Sequence, residues 1–367
     1  MRFEITRIFS LLTCIFITFY LLFSSFQKVH LTSEFNQSSF KKRVLIYTDF
    51  WEFEYNESWG QTGREDCEFT KDKSLFNSSH AVIFHFNDIK DIPKRAFPLQ
   101  KFVYFTLEAP FSTQLRDPPK NYFNWIMSYN NQSDVLFEYG SKWVQTNDTK
   151  NKEKYDLEKI LLSKKIRGIT GLMSNCDTNS CRKIFVSKLS KYITTNVYGN
   201  CGTQLGRKTP VYVHDYNFEI TLFEKYYFYF AIENAICENY ITEKYWNRYT
   251  FDSVPIVMKR HIYTDVGIPN SSFIAIDDFK SAKDMGNYLN YLMDNPKEYL
   301  KYFEHRNQNI KVIEPEKYSQ INGIGGLCSK LRTDQNDTKI IEDVAPIYSK
   351  INKCISKDEM INYANSW

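Results

Sequence analysis

Apolar residues fall in blocks along this chain, and the blocks differ in kind. Ile8 to Phe26 contains no charged residue. Coiled as a helix it spans ~28 Å, close to the ~30 Å of a bilayer's hydrocarbon core. Arg2 and Arg7 precede it, which predicts a cytosolic tail over residues 1–7, an uncleaved transmembrane signal anchor over 8–26 and a lumenal remainder. Residues 27–42 are polar and read as a stem. Then come short runs of aromatic and β-branched residues: 43–49, 81–86, 101–106 and 123–129. Polar or helical stretches separate them, the pattern of buried strands in an open α/β domain. This domain is placed at 43–158, ending in the Lys/Asn/Asp-rich segment 147–158.

The second half repeats the pattern. A strand is predicted near Ile166–Met173, then a helix with Phe185, Leu189 and Tyr192 on one face, then a strand at Asn196–Gly199. Tyr229–Ile232 ends abruptly at Glu233-Asn234, a polar loop leads to Thr242, a helix start, and Val254-Pro255-Ile256-Val257 opens the next strand. That is strand, loop, helix, strand, the unit of a parallel sheet. Asp277-Asp278 is read as a strand end with the N-cap of a helix. Two amphipathic helices are predicted over 281–310, with Met285, Leu289 and Leu292 on one face. The second domain is placed at 159–330, followed by a C-terminal tail over 331–367.

The chain's 367 residues suffice for two domains, and its net charge of +4 gives no basic patch of the kind nucleic acid needs. Glycosylation sequons begin at Asn36, Asn56, Asn77, Asn131, Asn147, Asn270 and Asn336, as expected of a lumenal protein. Beyond the apolar run, cysteines stand at 67, 176, 181, 201, 237, 328 and 354, an odd set in an oxidising compartment. At least one must stay free or pair with another chain. Their scatter fits no zinc ribbon, and no Asp-x-Asp metal motif is present, so no metal site is expected.

The candidate chemistry lies at strand ends, where ligands of open α/β sheets bind. Glu233, Asn234, Tyr240, Glu243 and Lys244 fall after one strand; Arg182 opens the helix after another; Glu108 follows a third. Lys244 can neutralise a phosphate and Glu243 can accept from sugar hydroxyls. The string Phe230-Ala231-Ile232-Glu233-Asn234, Tyr240-Ile241-Thr242-Glu243-Lys244 and Val254-Pro255-Ile256-Val257 closely resembles the donor-binding signature of the α1,3-fucosyltransferases, glycosyltransferase family 10. Phe105-Thr106-Leu107-Glu108-Ala109-Pro110 resembles the family's Glu-Ser-Pro motif, with Ala109 for Ser. Phe123-Asn124-Trp125, Ser128-Tyr129, Ser133-Asp134 and Tyr139-Gly140 resemble another of its runs, with Asn130 for the family's Arg and Ile126 for its Thr. Cys176, Cys201-Gly202 and Cys237 resemble the invertebrate and plant branch, which includes enzymes that fucosylate the N-glycan core. The resemblance covers roughly 43–330.

What the resemblance implies is specific. The fold would be two Rossmann-like domains facing across a cleft (GT-B), on the single anchor in the Golgi membrane. L-fucose would pass with inversion from GDP-fucose to a GlcNAc hydroxyl of a glycan or glycoprotein, without a required cofactor. Glu108 would be the base, and Arg182, Asn234, Tyr240, Glu243 and Lys244 would bind the donor. His85 and Trp125 would face the acceptor, and Cys67 would pair with Cys328, since the family commonly ties its C-terminal part back to the N-terminal domain. Three positions depart from the family: Tyr227 stands for a Lys, Arg248 for an Asn and Lys259 for a Gly. They leave two alternatives open, a glycan-binding paralogue without catalysis and a fucosyltransferase acting on protein side chains.

Overall fold

The computed structural model describes residues 41–48, 67–85, 89, 91–113, 118–140, 142–145, 155–204, 216–308, 310–313 and 323–367. Two parallel sheets organise these residues, each with its own hydrophobic core. In the N-terminal lobe, β1 (Lys42–Ile46), β2 (Cys67–Thr70), β3 (Ala81–His85), β4 (Lys101–Thr106), β5 (Trp125–Ser128) and β6 (Val135–Leu136) line up in the order β2-β1-β3-β4-β5-β6. Every residue of β3, β4 and β5 is buried, as unbroken apolar runs demand of strands covered on both faces. The edge strand β2 alternates buried and half-buried positions. Its Cys-Glu-Phe-Thr carries too little apolar signal to be read as a strand from sequence.

β7 (Lys142–Gln145) follows, and in the second lobe come β8 (Ile166–Leu172), β9 (Thr195–Tyr198), β10 (Tyr226–Phe230), β11 (Val254–Val257) and β12 (Ile274–Ala275). The last five form a parallel sheet in the order β12-β11-β10-β8-β9. The order reverses between β8 and β10, whose chains leave the sheet in opposite directions. A crevice at the carboxyl ends of such a pair is where open α/β sheets hold ligands. β13 (Ile310–Ile313) runs antiparallel to β7, a long-range ladder that no local pattern announced.

Residues 331–367, expected as a tail, are structural. Helices Gly325–Thr333 and Val344–Asn352 place Leu327, Cys328, Leu331, Val344 and Tyr348 in the N-terminal core. The chain then recrosses, and helix Lys357–Ser366 places Met360 and Ala364 in the C-terminal core. Tyr363 and Trp367 pack on Phe185, and Trp367 Nε1 donates to the Phe279 carbonyl at 3.0 Å. The segment is a strap over both lobes. Disulfides Cys67–Cys328 and Cys237–Cys354 fasten it, Cys176–Cys201 staples the ends of β8 and β9, and Cys181 is a buried free thiol.

Smaller expectations change too. Helix Ala282–Asp294 is capped by Ser281, not by the Asp277-Asp278 pair. Asp278 instead closes a turn on the Ala275 N–H and pairs with Arg260. Helix Arg182–Leu189 stops before Tyr192, which packs beside Gly286 of the neighbouring helix. Among the described residues no helix is long and apolar enough to cross a membrane, and the run 8–26 lies outside them. So do sequons Asn36, Asn56 and Asn147; Asn77, Asn131, Asn270 and Asn336 are exposed.

Candidate functional site

β10 is Tyr-Tyr-Phe-Tyr-Phe, and its apolar register continues through Ala231 and Ile232 before the carboxylate of Glu233. Glu233 is only 4% exposed, so its charge must be met inside the protein. Thr242 meets it with its backbone N–H at 2.8 Å and its hydroxyl at 2.8 and 3.0 Å. Lys244 lies 3.3 Å from it and donates to Glu243 Oε1 at 3.0 Å and Thr242 Oγ1 at 2.9 Å. Thr242 also caps the single helical turn Glu243–Trp246. Burial raises the Glu233 carboxyl above its ordinary range, against the pull of Lys244. Burial alone would lower Lys244, but Glu233 and Glu243 outweigh it and hold the ammonium above its ordinary value. The result is a cation fixed between two carboxylates at the mouth of the crevice.

Arg182 sits at the topological switch itself. It is 2% exposed, and its Nη1 and Nη2 donate to the carbonyls of Ile232 and Asn175 at 2.9 Å each. Those carbonyls follow β10 and β8, so the guanidinium bridges the two strand ends. Its Nε has no hydrogen-bond partner, nor does the buried Oδ1 of Asn234 two residues beyond Ile232. Ser180 completes the frame, donating from its hydroxyl to the Glu233 carbonyl at 2.6 Å and from its N–H to that of Asn234 at 2.9 Å. A cavity of about 540 Å³ opens beside this frame, lined by Ser174, Asn175, Thr178, Lys183, Asn200 and Lys357.

The two lobes meet at Glu108. β4 ends at Thr106, whose hydroxyl accepts the Glu108 N–H at 3.1 Å. From the other lobe, Tyr240 donates its hydroxyl to Glu108 Oε2 at 3.2 Å. Burial first, then the charge of Glu108, keeps the Tyr240 phenol protonated well above its usual range, so it is a donor here. Tyr348 of the strap donates to the Glu108 carbonyl at 2.7 Å, and Tyr139 to that of Leu107, also at 2.7 Å. Gly140 is required beside it, because a Cβ there would enter the Trp246 ring. Sequence reading missed Tyr348: it lies in the strap, and nothing local marks a tyrosine as reaching the end of a distant strand.

The crevice thus brings together Arg182, Asn234, Tyr240, Glu243, Lys244 and Glu108. The acceptor-side candidates fare differently. His85 closes β3 with its ring centroid 6.0 Å from that of Phe105. Trp125 begins β5, at the amino end of the sheet, 1% exposed, with the ammonium groups of Lys101 and Lys330 at 5.6 and 5.2 Å from its ring centroid. Trp125 is therefore part of the lobe's core and not of the crevice. The three departures from the family pattern have local reasons. Arg248 binds buried Glu219 at 2.7 Å. Tyr227 packs on Tyr299, with ring centroids 4.9 Å apart. Lys259 lies over the Tyr363 ring at 4.5 Å. Among the described residues no cluster of His, Cys, Asp and Glu has the makings of a metal site.

Comparison with known proteins follows the same division of the chain. Residues 39–140 match the family model "Fucosyltransferase, N-terminal", and residues 162–347 match "Glycosyltransferase family 10 (fucosyltransferase) C-term". Alpha-(1,3)-fucosyltransferase fut-1 of Caenorhabditis elegans is 36% identical over 68% of this chain, which spans only 55% of that protein. Fut-6 of the same organism is 30% identical over 76% of this chain and 72% of its own length. The mouse 4-galactosyl-N-acetylglucosaminide 3-alpha-L-fucosyltransferase 9 is 33% identical over 66% of this chain and 64% of its own. A crystal structure of an alpha1,3-fucosyltransferase with GDP-fucose shares the fold, with TM-score 0.52, 15% identity and coverage of 84% of this chain and 94% of that one.

Proposed function

This chain belongs to glycosyltransferase family 10, the fucosyltransferases, and from that premise we propose that it transfers L-fucose from GDP-fucose to a GlcNAc hydroxyl of a glycan. The transfer would be inverting and give an α1,3 linkage. One observation carries the reading: the Tyr240 hydroxyl reaches Glu108 Oε2 across the cleft at 3.2 Å, which sets a carboxylate from one lobe against the phosphate-binding loop of the other. In the proposed reaction the acceptor oxygen attacks the anomeric carbon from the face opposite GDP. Glu108 takes the hydroxyl's proton, and the bond to the β-phosphate breaks. The electron pair leaves with GDP. Lys244 would receive the charge developing on the diphosphate, with the buried Arg182 guanidinium behind it. The cavity beside Asn175 and Asn200 is of nucleoside size and would take the guanosine end.

The scheme calls for no divalent ion, with Lys244 and Arg182 proposed to meet the diphosphate in its place. The proposed acceptor is the innermost GlcNAc of an N-glycan, on the resemblance of Cys176, Cys201 and Cys237 to the core-fucosylating branch. The setting proposed is the Golgi lumen, with residues 8–26 as the anchor. The test is GDP release from GDP-fucose over core-bearing glycopeptides, N-acetyllactosamine and folded protein domains. Transfer to core GlcNAc supports the reading in full. Transfer only to N-acetyllactosamine moves the acceptor outward, and transfer only to side chains of folded domains changes the acceptor class. GDP binding without turnover on any of them means a glycan-binding paralogue.

A further inference from the structure

Asn130 stands just past the carboxyl end of β5 and is fully buried. Its Nδ2 faces three oxygens: the Ile351 carbonyl at 3.1 Å, and the Glu238 carbonyl and Asn352 Oδ1 at 3.3 Å each. Its Oδ1 accepts the Gln132 N–H at 2.9 Å, which fixes the amide's orientation. Asn352 is fully buried too. Its Nδ2 donates to the Tyr348 carbonyl at 2.7 Å, and its own carbonyl accepts the Glu238 N–H at 2.9 Å. Three parts of the chain that are distant in sequence meet at this pair of carboxamides: the end of β5, the donor loop and the strap helix Val344–Asn352.

Two of the three, the loop after β10 and the strap helix, reach Glu108 in the proposed chemistry. Glu238 lies two residues before Tyr240, which bonds Glu108. The strap helix carries Tyr348, which holds the Glu108 carbonyl at 2.7 Å. Cys237–Cys354 and the Ile355 N–H on the Ile236 carbonyl at 2.8 Å brace the same loop just before Glu238. We propose that Asn130 and Asn352 are positioning residues for transfer, setting the separation of Glu108 from the donor loop without touching either substrate. The proposal rests on the fucosyltransferase reading above. A carboxamide suits the task because it is neutral and has both donors and acceptors, so it joins buried carbonyls at no cost in buried charge. Misplacing reacting groups by about 1 Å can cost ~10²-fold in rate.

The test compares Asn130→Asp and Asn352→Ala with wild type. Asn130→Asp turns the donor into an oxygen facing three oxygens; Asn352→Ala removes one of the hub's acceptors and is the milder change. Transfer is measured as kcat per GDP-binding site, the sites being counted by calorimetry. A merely structural role would lower the number of competent sites and the melting temperature while leaving kcat per site unchanged. The expected result is a fall in kcat per site of roughly 10- to 100-fold, with GDP affinity within about threefold of wild type, since Arg182 and Lys244 lie outside the hub. Should Asn130→Asp not fold, Asn352→Ala decides alone. Unchanged kcat per site in the folded variants overturns the positioning role and leaves the enzymatic reading intact. Absence of transfer by wild type overturns that reading, and this proposal with it.

Discussion

Lys244 is held on three sides, by Glu233, Glu243 and Thr242, and in the proposed scheme the same side chain would also meet the diphosphate. Lys244→Ala removes a charged hydrogen-bond donor worth ~1.5–3 kcal/mol. GDP affinity is therefore expected to fall roughly 10- to 100-fold, read by calorimetry. Lys244→Ala also leaves buried Glu233 without its counter-charge, so its melting temperature should fall as well, and Arg182→Ala is expected to cost stability by another route. Its two strand-end carbonyls lose their donors inside the protein, so thermal stability should fall along with GDP affinity. A loss of affinity with an unchanged melting temperature would contradict the bridging role. Glu108→Gln keeps the shape and a partner for Tyr240 but cannot take a proton. Loss of a general base costs ~10²–10⁴-fold, so kcat should fall by that order while GDP-fucose binding stays near wild type. If the variant keeps more than about a tenth of wild-type turnover, well above that expectation, the base is another residue.

Among the elements, the amino end of the second sheet carries its own device. Lys164, at the entry to β8, donates to the carbonyls of Glu224 at 3.0 Å and Tyr226 at 2.8 Å, and also to that of Asp252. It thereby ties the starts of β8, β10 and β11 together. Burial, only partly offset by Asp252 and Glu224, pushes its pKa down to about 7. An unfolded lysine keeps its proton to ~10.4. Between these values the unfolded chain holds more protons than the folded one, so this group's contribution to stability rises with pH, by at most about 1.4 kcal/mol per unit. It is lost as pH falls through 7. Lys164→Met lacks the effect. The melting-temperature difference, wild type minus variant, should therefore grow in the wild type's favour from pH 7 to pH 9.5. A difference that stays flat over this interval would mean the ammonium stays charged on its carbonyls throughout.

At the scale of the molecule, the strap makes one unit of two lobes. Cys67–Cys328 joins residues with a sequence separation of 261, and Cys237–Cys354 fixes the strap to the loop after β10. Replacing Cys67 and Cys328 by Ser is expected to cost ~2–5 kcal/mol. The apparent melting temperature would then drop by on the order of 10 °C, measured by calorimetry on oxidised protein. An unchanged value would mean that packing of Leu327, Leu331 and Tyr348 alone holds the strap in place. Sequence by itself determined most of the strands of both cores, because runs such as Phe102–Phe105 and Tyr229–Ile232 are unbroken and lie buried. It also determined the loops after them, where polar residues stop those runs, and so placed Glu108, Arg182 and Lys244 at strand ends. Tertiary structure alone decided what depends on distant partners: β2 on the edge, β7 against β13, Trp125 beside two lysines, and Arg182 bridging carbonyls. It also made residues 331–367 a strap that brings Tyr348 to Glu108 and Asn352 to Asn130. A local pattern records whether a side chain must be buried, whereas the partner that meets it is set by how two separate sheets and a returning chain close on one another.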